Sequence, residues 1–84
     1  MAATTDAIRD LIVADLGWPG DRRQLTDDYP LIDNEVIDSL GVFQIVTFLE
    51  AQYGIEVDDD ELVPENFESL GAIAGLVHRK TGTP

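Results

Sequence analysis

Residues 36–41 read Val-Ile-Asp-Ser-Leu-Gly, and their types and order could do chemistry. Ser39 stands where a long loop meets an amphipathic helix. A hydroxyl there is exposed at a helix N-terminus, which presents free amide N–H groups and favours negative charge, so it suits a phosphate ester. Asp38 beside it offers a carboxylate that could help hold a divalent cation during phosphoryl transfer, because hard cations prefer such oxygens. The same two residues also read as ordinary N-caps, and an isolated Asp-Ser-Leu does not separate the two roles.

Two other constellations are weaker. The run Asp58-Asp59-Asp60-Glu61 suggests calcium, but an EF-hand loop starting at Asp58 needs glycine at its sixth position. That position is Val63, followed by Pro64, so the pattern fails and no metal site is expected. Ser39, His78 and an acid can be written down as a triad. His78, however, belongs to the far end of the last helix, where it would cap, so no catalytic residue is expected. The chain has no cysteine, which excludes disulfides, thiolate catalysis and thiolate-bound zinc.

The elements that must position Ser39 follow from hydrophobic spacing. A first helix is predicted over 5–16, with Ile8, Leu11 and Ile12 on one face and Thr5 or Asp6 as cap. Gly17, Pro19 and Gly20 end it. Residues 17–38 form a long loop, and its Trp18, Leu25, Tyr29, Leu31, Ile32, Val36 and Ile37 predict that it is pinned onto the core. The second helix covers 39–53, with Leu40, Phe43, Val46, Leu49 and Tyr53 as the buried stripe and Ile45 and Phe48 widening it. Gly54 stops it. A short third helix is expected over 60–67, and a fourth over 69–80 with Ser69 as N-cap and Leu70, Ile73, Ala74 and Val77 inward. His78, Arg79 and Lys80 suit the dipole at its end, and 81–84 should fray. No strand is convincing. The expectation is one all-α domain over 1–84, a four-helix bundle with a short third helix and a long first loop.

The chain has 84 residues, enough for one small domain with a thin core. Its formal net charge is −12, from 17 acids and five bases. Between Arg23 and Arg79 lie 13 acids and no base. Such a field repels nucleic acid and anionic membranes and attracts basic protein surfaces. Crowding of this kind should on balance raise carboxylate pKa values, so that stability falls as pH climbs through the acidic range. The start of the chain does not resemble a signal peptide, and no apolar stretch approaches the roughly 18 residues of a membrane span. A cytoplasmic, soluble protein is therefore expected.

With these readings in place, the chain resembles the acyl carrier protein family from near Ile8 to about Lys80. The resemblance centres on Leu31-Ile32-Asp33-Asn34-Glu35-Val36-Ile37-Asp38-Ser39-Leu40. It continues through Phe48-Leu49-Glu50-Ala51-Gln52-Tyr53-Gly54-Ile55-Glu56-Val57, then Pro64-Glu65-Asn66-Phe67 and Ser69-Leu70-Gly71-Ala72-Ile73-Ala74. It implies that a phosphopantetheinyl transferase moves 4'-phosphopantetheine from coenzyme A onto Ser39, with Asp38 supporting the transferase metal. The arm's thiol would then carry acyl or aminoacyl groups, and the carrier itself would catalyse nothing.

Two departures refine that implication. Carriers of fatty acid synthesis usually have several acids after the serine, whereas here Gly41-Val42-Phe43-Gln44-Ile45-Val46-Thr47 has none before Glu50. Peptidyl carriers of large synthetases usually show Gly-Gly-x-Ser, and this chain has Val36-Ile37-Asp38-Ser39. The form is closer to freestanding carriers loaded by separate adenylating ligases, the D-alanyl carrier among them. The expected role is a monomeric carrier in a secondary-metabolite or lipid pathway. Its partners would be the transferase, adenylating ligases, acyltransferases or ketosynthase-type enzymes with basic docking surfaces. Leu40, Val42, Phe43, Thr47 and Glu50 are the expected docking residues, with Val42 outside. A small acidic adaptor without a prosthetic group is the competing class, with the helix after Ser39 as its docking face.

Overall fold

The computed structural model describes residues 2–18 and 20–82. Four α-helices follow one another: α1 (Ala2–Asp15), α2 (Ser39–Tyr53), α3 (Pro64–Phe67) and α4 (Leu70–Thr81). Short 3-10 turns lie at Arg22–Gln24 and Asp59–Glu61, and the described residues contain no strand. The helix α4 packs against each of the other three. Its Leu70, Ile73, Leu76 and Val77 meet Ile8 and Ile12 of α1, Ile45 and Leu49 of α2 and Phe67 of α3 in one buried cluster.

Local chemistry explains the helix ends. The first helix starts three residues before Thr5, since Ala2 and Ala3 are strong helix formers and Thr4 and Thr5 are buried within the helix rather than capping it. Ser69 caps α4, its Oγ accepting from the Ala72 N–H at 3.1 Å. Gly54 ends α2 in the left-handed region, φ 65°. Thr81, predicted to fray, is the last residue of α4, and Gly82 is its cap; residues 83–84 of the predicted tail, like Pro19, lie outside the described residues. The predicted third helix divides into the 59–61 turn and the single turn of α3, with Pro64 at its start.

The long loop is fastened, as its apolar residues predict. Leu25 and Leu31 are fully buried and Ile37 is 4% exposed. Arg9 of α1 donates from Nε to the Leu25 carbonyl at 2.8 Å, and its guanidinium also pairs with Asp6 and Asp27. Two backbone bonds tie the loop to α4 and its approach: Leu31 N–H to Glu68 C=O at 2.8 Å and Gly71 N–H to Asp27 C=O at 2.9 Å. Trp18 stands edge-on to Tyr29, centroids 5.3 Å apart.

Residues 31–36 close a Schellman turn. Val36 N–H reaches Leu31 C=O at 2.8 Å and Glu35 N–H reaches Ile32 C=O at 3.0 Å. The left-handed position in that motif usually holds glycine, and here it holds Glu35 at φ 57°.

Three expectations need correction. The stripe predicted for α2 is rotated: Gly41, Ile45 and Leu49 are buried, whereas Leu40 and Phe43 are 67% and 58% exposed. Leu40 to Leu49 is apolar nearly all round, so spacing could not choose the inner face. Gly41 decides it, since a Cβ there would lie 3.2 Å from the Ile37 Cβ, and only this face lets α2 approach the loop so closely. His78 does not cap α4; its Nε2 lies 3.3 Å from Thr4 Oγ1 on α1. The acidic run, expected only to crowd its own carboxylates, is partly paired with a base. Lys80 Nζ bonds Glu61 Oε1 at 2.8 Å and lies 3.6 Å from Asp58, and Arg79 bonds Asn66 at 3.1 Å.

Two predictions follow from these contacts. Replacing Glu35 by glycine removes the left-handed strain and should stabilise the fold by up to about 1 kcal/mol. Thermal unfolding should show this as a rise of a few degrees; an unchanged or lower midpoint would mean that residue 35 is unstrained. The second concerns pH. The Lys80 hydrogen bond, helped by the Asp58 backbone, holds the Glu61 carboxyl below the usual range, opposite to the crowding expectation. A lowered carboxylate pKa gives stability that is present above the unfolded value, about 4.3, and is lost as pH falls through the folded value. Lys80 is raised by Glu61, so its share is complete below about 10.4 and is lost as pH rises through its folded value. Lys80→Met should therefore lower the melting temperature at pH 7 and flatten the acid limb below about pH 4.3. An acid limb identical to the parent's would contradict this.

Candidate functional site

The loop delivers the chain to α2 through Asp38, which is the N-cap. Its backbone is extended, and Oδ1 accepts from the Gly41 N–H at 2.9 Å. This local choice frees its neighbour. Ser39 is the first helical residue, exposed, and its hydroxyl makes no hydrogen bond to any described residue. The chain has one other serine, Ser69, which is half-buried and bonded as the cap of α4. Both serines sit at helix entrances, but one hydroxyl is engaged and the other is open to a reagent.

Two features surround Ser39, a set of open helix-entrance amides and a groove. The amides of Ser39 and Leu40 have no backbone partner at the entrance of this 15-residue helix, so donors and dipole both favour an anion. Beside Ser39 opens a groove of about 740 Å³, walled by Ile32 and Ile37 of the loop, Val42 and Phe43 of α2, and Leu62, Val63, Pro64 and Phe67 beyond. Its charged wall residues are Glu35 and Asp38. The described residues contain no cluster suited to a metal ion. None of their helices is long and apolar enough to cross a membrane.

The expected docking residues are distributed unevenly. Leu40 and Phe43 are the exposed large hydrophobic side chains of this face. Val42, expected outside, is half-buried and packs against the core cluster as well as lining the groove. Thr47 is exposed, its hydroxyl donating back to the Phe43 carbonyl at 2.9 Å. Glu50 is half-buried, and Oε2 accepts from the Val57 N–H at 3.0 Å, so it braces the segment after α2. Sequence reasoning missed the groove and Glu35. The wall comes from segments some 20 residues apart, and a glutamate in a left-handed position has no sequence signal.

Comparison with known proteins gives the family. The family described as "Phosphopantetheine attachment site" matches residues 6–77. The chain is 34% identical over 62 residues to the acyl carrier protein of Thermotoga maritima, covering 74% of each. It is 28% identical over 65 residues to a probable acyl carrier protein, PigG, of a Serratia species, covering 77% of this chain and 75% of the relative. Among solved structures it matches a chain in "Crystal structure of FAD-dependent dehydrogenase" with a TM-score of 0.72 and 28% identity, over 83% of this chain and 97% of that one. The chain belongs to the acyl carrier protein family, whose members are non-catalytic carriers bearing 4'-phosphopantetheine.

Proposed function

We propose that Ser39 is the attachment residue and that the protein holds acyl or aminoacyl thioesters for partner enzymes in a biosynthetic pathway. The observation that carries this is the contrast between the two serines: the Ser39 hydroxyl is exposed and unbonded, and that of Ser69 is committed to a cap. In the transfer, the Ser39 oxygen forms a new bond to phosphorus while the bond to the nucleotide part of coenzyme A breaks. The hydroxyl proton passes to a base of the transferase. The bound arm supplies the thiol for the thioester, which this cysteine-free chain lacks. Asp38 holds the helix entrance in place through Gly41 and leaves its second carboxylate oxygen for the transferase metal.

Loading by a separate adenylating ligase suits the acid-free start of α2. Docking then rests on Leu40 and Phe43, with Thr47 beside them and Val42 at the groove edge, while the acids of the loop and of 58–61 steer a basic partner from a distance. A flavin dehydrogenase joins the partner classes. Of 84 residues, 83% is about 70, and 97% coverage makes the matched chain about 72 residues long, carrier size, in a structure named for such an enzyme. A monomeric four-helix bundle working in the cytoplasm completes the reading.

Intact mass after incubation with coenzyme A and a broad-specificity transferase tests the attachment. The parent and Ser69→Ala should each gain one phosphopantetheinyl unit, and Ser39→Ala none. Ser39→Ala should unfold close to the parent, because Ser39 makes no capping bond. Modified Ser39→Ala would end the proposal, and an unmodified parent would favour the adaptor. Docking is tested by binding kinetics with the loading ligase. Phe43→Ser should speed dissociation with helical content unchanged, because apolar contact, at about 25 cal/mol per Å², does not weaken with salt. Added salt should slow association and leave dissociation nearly unaltered. Parent-like dissociation for both Phe43→Ser and Leu40→Ser would move the docking surface elsewhere.

A further inference from the structure

We propose that Glu35 makes the groove beside Ser39 selective for cargo bearing an ammonium group next to the thioester, that is, an aminoacyl rather than a plain acyl group. This rests on the reading of Ser39 as the attachment residue and goes further, to the class of cargo.

Three observations meet at this residue. Glu35 occupies a left-handed position at φ 57°, where glycine would sit without strain. Its exposed carboxylate has no hydrogen bond or ion pair with any described residue. It also lines the groove that opens at Ser39, where the remaining wall is apolar apart from Asp38 and the serine itself. Asp38 is held at the helix entrance by Oδ1, which accepts from the Gly41 N–H, so Glu35 is the groove carboxylate with both oxygens unengaged by any described residue. No lysine or arginine lies between Arg23 and Arg79 to neutralise it from nearby sequence.

A largely apolar cleft of this size with a few free polar groups is the usual form of a small-molecule site. The occupant that complements it combines a small apolar body with a cation and is tethered at the groove mouth. An α-aminoacyl thioester has that chemistry. A neutral acyl group gains only the apolar contact, and a carboxyacyl group meets like charge. An exposed ion pair is weak, worth about two- to fivefold in occupancy. Tethering makes that enough, because a flexible linker holds the cargo at an effective concentration on the order of millimolar.

The test uses the full chain loaded at Ser39 by a transferase from coenzyme A analogues with alanyl, propionyl or malonyl cargo in hydrolysis-resistant amide linkage. Intact mass first establishes loading, so failure of the attachment reading is seen separately. Amide NMR shifts of Ile32, Val42 and Leu62 then report groove occupancy. Alanyl cargo should occupy the groove about two- to fivefold more than propionyl, and malonyl less than either. Glu35→Gln keeps the side-chain shape, should leave thermal stability near the parent's, and should erase the alanyl–propionyl difference. Equal shifts for alanyl and propionyl in the parent would overturn the proposal, as would a difference that survives Glu35→Gln. Slower ligase loading of Glu35→Gln with unchanged cargo shifts would overturn it too, by making Glu35 a partner contact.

Discussion

The burial of three loop aliphatics, Leu25, Leu31 and Ile37, is the constraint on which the site depends. The 23 residues between α1 and α2 contain no α-helix among the described ones, and such a segment would sample many conformations unless it were anchored. Burial of the three aliphatics supplies the anchoring, and Arg9, Gly71 and Glu68 add bonds to the loop backbone. Ile37 is the last anchor before Asp38. Its contact with Gly41 fixes the face that α2 turns inward, and the same step leaves Leu40, Phe43 and Ser39 facing outward.

From that constraint the chemistry of the helix entrance follows. One capping side chain is enough for Gly41 N–H, and Asp38 supplies it, so a second cap at Ser39 would be redundant. The free hydroxyl is a consequence of this division of labour between neighbours. The acids just before the groove's far wall behave differently. Glu61 and Asp58 are gathered by Lys80 onto α4, which holds the 59–61 turn and, through it, the far wall of the groove. The acids flanking the groove thus differ: Glu61 and Asp58 are held by Lys80, whereas Glu35 pairs with no described residue.

Much of this was legible in the sequence where the cause is local. Asp38 and Ser39 mark a loop-to-helix boundary by cap chemistry alone, and Ser69 does so again before α4. The loop's buried residues were legible too, because large aliphatics in an otherwise polar stretch have to be covered. What was hidden depends on residues far apart in the chain. The inner face of α2 could not be read from a helix that is apolar on most sides, because Ile37 and Gly41 choose it in three dimensions. Val42 was expected outside for the same reason. Glu50 and Lys80 looked like surface charges, yet each holds a segment several residues away. The strain at Glu35 is set by the turn that Leu31 and Val36 close, which no single-residue preference reports.

The central claim is that the packing of the loop and the Asp38 cap leave Ser39, and not Ser69, to take the arm. Both serines fall in the single tryptic peptide that runs from Gln24 to Arg79, so fragmentation of that peptide from the modified protein tests the claim directly. The account predicts that every fragment containing Ser39 carries the phosphopantetheinyl mass and that fragments containing Ser69 without Ser39 carry none. The added mass on a fragment that lacks Ser39 would contradict it.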